Sequence, residues 1–204
     1  MVTDRRFLQI YPLLLVLLLI FGACAETSSA FGKYHRGKTL DINVMTLERM
    51  PELRYRTPGP GQQVNHYRIT PSSDDMELVL LRLKVENHTA TSAIVNIDEE
   101  AAELRDFLRG RYRPINVNER VEEVPPPENP ANERLAQCPL PERPTDGRAR
   151  ICFLWNRTLE GGTSQAFELE RDYGVDGWMA FEAPKETEFR ELRWRAGDSL
   201  TIEF

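Results

Sequence analysis

Cysteine and histidine are the side chains of this sequence best suited to chemistry, and the chain of 204 residues has only three of each. They are Cys24, Cys138 and Cys152, and His35, His66 and His88. None of their spacings is the C-x-x-C or H-x-x-H pattern that zinc sites use. The sequence also lacks the G-x-S-x-G, H-E-x-x-H, P-loop and G-x-G-x-x-G motifs. We therefore predict no catalytic residues, no metal site and no cofactor, and we do not expect an enzyme.

One acidic stretch, residues 172–177, has the spacing of the start of a calcium-binding loop. Asp172 and Asp176 would be its ligands. An EF-hand loop needs a bidentate Glu at its twelfth position, where this chain has Ala183. The pattern therefore predicts a tight turn between strands rather than a calcium site.

The first 23 residues have the organisation of an export signal. Arg5 and Arg6 form a short basic head, and an almost uninterrupted apolar run follows from Phe7 to Ala23. A basic head, an apolar run and then small residues are typical of a secretory signal peptide. We predict that residues 1–23 are a signal peptide or a signal anchor, which forms a hydrophobic helix, and that the following domain lies outside the cytoplasm.

The end of this segment resembles the lipobox of bacterial lipoproteins, in the residues Phe21-Gly22-Ala23-Cys24. The resemblance implies cleavage before Cys24 and lipid attachment to that residue, which would anchor the protein to a membrane of the bacterial cell envelope. Two alternatives stay open. Ala23-Cys24-Ala25 also fits an A-x-A cleavage site that would leave no anchor. An uncut segment of this length would instead be a short membrane helix.

If Cys24 carries lipid, Cys138 and Cys152 are the two cysteines that remain. In an oxidising compartment such a pair is expected to form a disulfide. The loop that it closes is short, and in the chain-entropy model a loop of this size restricts the unfolded chain by roughly 3 kcal/mol. We therefore predict a disulfide between these two residues.

The overall charge argues against one class of partner. The chain has 26 Lys and Arg and 32 Asp and Glu, which gives a formal net charge of −6. Proteins that bind nucleic acids normally carry a basic surplus. We therefore expect no nucleic acid among the partners, which leaves the membrane and a protein of the cell envelope.

The body of the chain reads as short strands separated by turns. Apolar and polar residues alternate with a period of two in several segments, which is the pattern of half-buried strands. These segments are residues 40–44, 79–85, 151–155 and 200–204. Three further strands are predicted: a short β-branched run at residues 93–97, residues 177–181, which stop before Pro184, and residues 192–194. About seven short strands with turn signals between them predict an all-β fold, an immunoglobulin-like antiparallel β-sandwich.

Two regions are less regular. Residues 99–108 could form a helix, but strands flank them, so we favour a hairpin that runs from Leu104 through Arg109-Gly110-Arg111 to Tyr112. Residues 118–148 hold seven of the fourteen prolines and are predicted to be an insertion or linker. The predicted organisation is a flexible tether over residues 24–36, then one sandwich domain over residues 37–204 with this Pro-rich insertion.

The order of these segments resembles a family of bacterial exported domains, often lipoproteins, with a telokin-like, immunoglobulin-like fold and no known function. The resemblance covers about residues 37–204 and rests on motif order. Its motifs here are Gly37-Lys38-Thr39-Leu40-Asp41-Ile42, residues 81–87, the hairpin residues Leu104, Asp106, Gly110 and Tyr112, the turn at 159–162, residues 177–184 and residues 192–194. The family implies no catalytic residues.

Three functions are compatible with these features. The first, which we favour, is a lipid-anchored binding or scaffolding module whose working surface is a set of loops or a strand edge. The second is an accessory subunit of a larger membrane complex, held by an uncleaved N-terminal helix and using the Pro-rich segment as an arm. The third is an extracytoplasmic carrier of a small ligand or a metal.

Overall fold

The computed structural model describes residues 28–58, 61, 63–129, 133–135, 157–158, 164–165 and 167–204. Cys24, Cys138 and Cys152 lie outside these residues, as do the N-terminal hydrophobic segment and the strand predicted over residues 151–155. The lipid attachment and the disulfide therefore stay predictions. No helix within the described ranges is both long and apolar enough to cross a membrane.

The described residues form sixteen strands and one short helix, so the all-β class predicted from the sequence is confirmed. The first eight strands are β1 (Tyr34–Arg36), β2 (Leu40–Met50), β3 (Leu53–Pro58), β4 (Val64–Ile69), β5 (Met76–Asn87), β6 (Ser92–Val95), β7 (Ala102–Asp106) and β8 (Arg111–Tyr112). After helix α1 (Val117–Arg120) come β9 (Val121–Glu123), β10 (Arg134–Leu135), β11 (Arg157–Thr158), β12 (Ser164–Gln165), β13 (Phe167–Glu170), β14 (Gly174–Pro184), β15 (Phe189–Trp194) and β16 (Leu200–Glu203).

A central antiparallel sheet with the strand order β1-β2-β5-β14 organises the molecule. Strand β5 pairs along its length with β14 on one side and with β2 on the other, where a bulge lies between Val44 and Thr46. Val79, Leu81 and the following alternate residues of β5 point into a core, as their period of two predicts. The strands predicted around residues 40–44, 79–85 and 177–181 are therefore confirmed and longer than expected.

The first core lies between one face of the central sheet and two smaller sheets. These are the C-terminal sheet, in the order β16-β15-β7-β8, and the pair β13-β6. The largest contributors to this core are Leu40, Ile42, Leu47, Leu81, Leu83, Ile97, Leu104, Phe181 and Trp194. Trp194, on the predicted strand at residues 192–194, is 0% exposed and fills this core as a large aromatic side chain.

The opposite face of the central sheet carries a second core. An outer sheet in the order β10-β3-β4-β9 packs against it. The residues that meet there are Leu53, Tyr55, Ile69, Leu78, Leu80, Val117, Trp178 and Ala180. The alternation in β5 predicts a strand buried on one face only, whereas Leu80 is buried as completely as Leu81. The difference arises because the β3–β4 hairpin, which the sequence pattern did not reveal, covers the second face.

Part of the Pro-rich segment takes part in this outer sheet. Residues 121–123 form β9, which pairs with β4, and residues 134–135 form β10, which pairs in parallel with β3. The segment was expected to be irregular because it lacks a hydrophobic period. Edge strands offer unpaired N–H and C=O groups, which can recruit a short segment without such a period.

Part of the flexible tether predicted over residues 24–36 belongs to the folded domain. Ala30 is buried, Phe31 packs against the first core, and residues 34–36 already pair with β2 as β1. The backbone N–H of Gly32 donates to the carbonyl of Val44 at 2.9 Å. Residues 30–36 of the predicted tether are therefore part of the folded domain.

Candidate functional site

The β7–β8 hairpin displays the most exposed large apolar side chains of the described residues. Its four-residue connection, Phe107-Leu108-Arg109-Gly110, follows Asp106 at the end of β7. Phe107 is 62% exposed and Leu108 is 90% exposed. The hairpin itself was predicted from the sequence and is confirmed by the β7–β8 pairing. We refer to Phe107 and Leu108 as the apolar tip.

The carboxylate of Asp106 fixes the conformation of the tip. One of its oxygens accepts hydrogen bonds from the backbone N–H groups of Leu108, at 2.8 Å, and Gly110, at 2.6 Å. The other accepts from the hydroxyl of Tyr112 at 2.9 Å. Three hydrogen bonds to one buried carboxylate hold the turn, as Asp side chains commonly do. The tip is therefore a shaped projection rather than a loose loop.

Gly110 makes this arrangement sterically possible. A Cβ atom added at Gly110 would lie 2.4 Å from Oδ2 of Asp106 and 2.6 Å from the Tyr112 hydroxyl. Tyr112 packs edge-on against Phe189, with ring centroids 5.6 Å apart. Burial of Tyr112, followed by its hydrogen bond to Asp106, raises the pKa of the phenol. The Tyr112 hydroxyl is therefore the donor in its hydrogen bond to Asp106 near neutral pH.

Arginines flank the apolar tip. Arg109 and Arg111 are exposed, and neither side chain forms an ion pair within the part of the chain that the structure describes. Arg113 reaches Glu100 at 2.5 Å, with both side chains about half exposed. Arg109 has a φ of 73°, a left-handed conformation that is uncommon for a residue with a side chain. The hairpin thus combines two exposed apolar side chains with two exposed cations.

The chain enters the domain at the same end as the hairpin. Phe31 packs edge-on against Phe204, with ring centroids 5.3 Å apart. The backbone N–H of Phe204 donates to the carbonyl of Arg190 at 2.8 Å. The neighbouring residue, Phe189, lies opposite Asp106 at the end of β7. The N-terminal entry and the apolar tip are therefore separated by the width of the C-terminal sheet, not by the length of the domain.

A buried polar row on the central sheet is the second group of residues with chemical potential. The guanidinium of Arg82 donates to both oxygens of Asp176, at 3.0 and 2.7 Å. Thr46, Arg82 and Trp178 lie side by side on β2, β5 and β14. Among the described residues, the buried Thr46 hydroxyl oxygen, Trp178 indole nitrogen and Asn43 side-chain oxygen have no hydrogen-bond partner. Arg82 and Asp176 neutralise each other's charge within this row.

The acidic residues considered as calcium ligands have other roles. Asp176 is engaged with Arg82, and Asp172 lies exposed in the turn before β14 with a φ of 67°. No group of three or more His, Cys, Asp or Glu side chains in the described ranges is arranged to hold a metal ion. His66 contacts Glu133, with Nδ1 2.8 Å from a carboxylate oxygen, in a pair between β4 and the residue before β10.

The sequence predicted the position of the hairpin but not that its turn displays two exposed apolar side chains. The signal was present, since Asp106-Phe107-Leu108-Arg109-Gly110 puts two large apolar residues where turn residues are usual. The sequence left a helix over residues 99–108 as an alternative, and the structure shows a hairpin whose turn carries both side chains exposed. The buried Arg82–Asp176 pair joins residues 94 positions apart and had no local signal.

The fold defines an all-β, mainly antiparallel domain, and two solved structures are similar to it. The yjhA protein from Bacillus subtilis is 15% identical, with 84% of this chain and 86% of that chain covered and a TM-score of 0.45. The candidate lipoprotein ycdA from Bacillus subtilis subsp. subtilis str. 168 is 11% identical, with 87% of this chain but 39% of that chain covered and a TM-score of 0.42. No protein-family model and no curated protein matches the chain. Likeness of this degree does not extend to activity, ligand or partner.

Proposed function

We propose that the protein is a membrane-anchored extracytoplasmic binding or scaffolding module without catalysis. In this proposal the domain is an immunoglobulin-like β-sandwich with additional strands, located in the bacterial cell envelope and held by lipid on Cys24. The observation that carries the binding role is the apolar tip, which Asp106 holds in one conformation while Leu108 remains 90% exposed. A contact element that is ordered before binding loses less conformational entropy when it binds.

A second surface favours a protein partner. Glu52 and Arg54 at the start of β3 and the residues Pro125-Pro126-Pro127 line an open groove of about 560 Å³. Consecutive prolines hold the backbone extended without internal hydrogen bonds, which suits an arm laid against another protein. This groove supports the alternative in which the protein is an accessory subunit of a larger membrane complex.

The intact mass of the protein extracted from its native membrane tests the anchoring. We expect a chain that begins at Cys24 and carries acyl groups. Replacement Cys24→Ala should remove the lipid and release the domain from the membrane fraction. The matched control is the double variant Cys138→Ala/Cys152→Ala, in which lipid attachment should persist because these residues have no part in it.

Each outcome of this experiment selects one proposal. A mass with residues 1–23 retained and no lipid would favour the accessory subunit held by an uncleaved helix. A processed, unmodified chain in the soluble fraction would overturn the membrane anchor. A metal or small molecule retained by the protein under native conditions would instead favour the carrier.

A further inference from the structure

We propose that the apolar tip inserts into the surface of the anionic phospholipid bilayer to which the chain is anchored. The inference rests on the proposed anchoring at the N-terminus and names the partner of the hairpin. Phe107 and Leu108 would lie among the lipid headgroups and upper acyl chains, with Arg109 and Arg111 against the phosphates. The tip would thereby fix the orientation of the domain on the membrane.

The position of the N-terminal entry brings the hairpin close to the bilayer. Only four peptide steps separate Cys24 from Ser28, where the described domain begins. At roughly 3.3–3.6 Å per residue, four steps span at most about 14 Å. Phe31 is already packed against Phe204 at the end of the C-terminal sheet from which the hairpin projects. Lipid on Cys24 would therefore hold this end, and not the opposite one, toward the membrane.

The chemistry of the tip suits a bilayer surface better than a pocket in a protein. Aromatic and aliphatic side chains gain free energy on entering the headgroup and upper acyl region, while arginine keeps its charge at the phosphates. Cations close to an anionic leaflet add further attraction. Arg109 and Arg111 are available for this role because no acidic side chain of the described residues pairs with them.

Other charged side chains also lie at this end of the domain, among them Lys33 and Arg190. Glu186 and Glu188 lie in the turn that leads into β15, together with Lys185. The carboxylate of Asp106 is occupied by the turn that it stabilises. Arg109 and Arg111 are the cations that flank the apolar tip directly, which makes these two arginines the groups to test.

Introduced tryptophans can locate the tip relative to the lipid. The full chain is purified from its native membrane and reconstituted into phosphatidylcholine vesicles with and without phosphatidylglycerol, doped with doxyl-labelled lipid. Leu108→Trp is compared with Ile94→Trp, whose parent residue is 60% exposed. The carbonyl of Ile94 lies close to Gly197, in the turn between β15 and β16 at the other end of the C-terminal sheet. Trp155, Trp178 and Trp194 contribute the same background to both variants.

Vesicle flotation is measured first, because it reports anchoring, and quenching is measured on the floated protein. In vesicles that contain phosphatidylglycerol, we expect several-fold stronger quenching of the tryptophan introduced at position 108 than of the one introduced at position 94. The triple variant Leu108→Trp/Arg109→Gln/Arg111→Gln lacks two cations near the anionic surface. Its ratio of quenched to unquenched tryptophan at position 108 should be lower by on the order of tenfold than that of Leu108→Trp alone.

The two readouts separate the inference from the proposed function. Protein that fails to float contradicts the anchor on which the inference rests. Protein that floats but shows equal quenching of the two introduced tryptophans overturns the inference and leaves the anchor standing. Strong quenching that the two arginine replacements do not change would overturn the role given to anionic lipid.

Discussion

Asp106 determines the shape of the turn that displays the most exposed large apolar side chains of the described residues. Its carboxylate joins the backbone of Leu108 and Gly110 to the hydroxyl of Tyr112, and it is itself 8% exposed. A buried acceptor that satisfies three donors stabilises the turn, and its removal leaves those donors unpaired. The display of Phe107 and Leu108 therefore depends on one residue that would not contact a partner.

Replacement Asp106→Ala should lower the free energy of unfolding by about 1–3 kcal/mol, because three partly buried donors lose their acceptor. Denaturant unfolding of the purified protein measures the change. Asp74→Ala is the matched control: Asp74 is exposed in the turn before β5, and its loss should cost no more than about 0.5 kcal/mol. Equal stability of the two variants would show that the Asp106 hydrogen bonds do not hold the turn.

At the scale of elements, β5 is the strand on which both cores depend. Its odd-numbered residues from Val79 face the C-terminal sheet and the β13–β6 pair, and Leu78 and Leu80 face the outer sheet. A strand covered on both faces resembles the central strand of a layered protein more than the half-buried strand of a simple two-layer domain. The outer sheet is consequently an integral part of the folded domain, because it covers the second core.

We expect Leu80→Ala and Leu81→Ala each to cost about 2–5 kcal/mol, because both side chains are 0% exposed and each truncation leaves a cavity. Ile94→Ala provides the comparison, since Ile94 is 60% exposed and its truncation should be nearly neutral. Thermal or denaturant unfolding distinguishes the cases. A nearly neutral Leu80→Ala beside a costly Leu81→Ala would mean that the second core contributes little.

At the scale of the whole molecule, the carboxylate of Asp198 joins segments that are far apart in the chain. Asp198, in the last turn, accepts from the backbone N–H groups of Thr39 and Leu40 at 2.7 and 2.9 Å. Burial opposes ionisation of Asp198, but these hydrogen bonds outweigh it and lower the pKa of the carboxyl. Burial likewise opposes ionisation of Glu191, and its bonds to Arg193 and Arg190 lower its pKa. Both groups stabilise the fold in their charged form.

Acid should therefore destabilise the protein. The ordinary pKa values are 3.8 for the Asp and 4.5 for the Glu, and the folded values lie below them. The stabilisation is complete above the ordinary values and is lost as the pH falls through the folded ones. Measured against pH, the free energy of unfolding should be level near neutrality and fall below about pH 4.5.

The variant Asp198→Asn should be less stable than the parent near neutral pH and should lose less stability on acidification. Glu203→Gln serves as its control, because Glu203 is exposed on the edge strand β16. The same unfolding titration applies to all three proteins. An Asp198→Asn curve that parallels the parent at every pH would contradict the linkage between this carboxylate and the fold.

Local patterns were sufficient for the strands that have one polar and one buried face. The alternation in β2, β5, β15 and β16 and the turn residues of the β7–β8 hairpin are visible in the sequence, because side chains of a strand point to opposite sides in turn. The N-terminal signal is likewise a local property of composition, and it carries the anchoring proposal. The Pro-rich segment has no hydrophobic period, so its sequence did not predict that parts of it form strands.

Only the tertiary structure decided which segments cover each face of the central sheet and which residues lie at each end of the domain. The second core forms because the β3–β4 hairpin folds back on the central sheet, and the Arg82–Asp176 pair forms because β5 and β14 become neighbours. Whether Phe107 and Leu108 are buried depends on whether another layer of the fold covers their turn. Local sequence determines conformation through backbone and side-chain preferences, whereas burial and proximity arise from contacts between segments far apart in the chain.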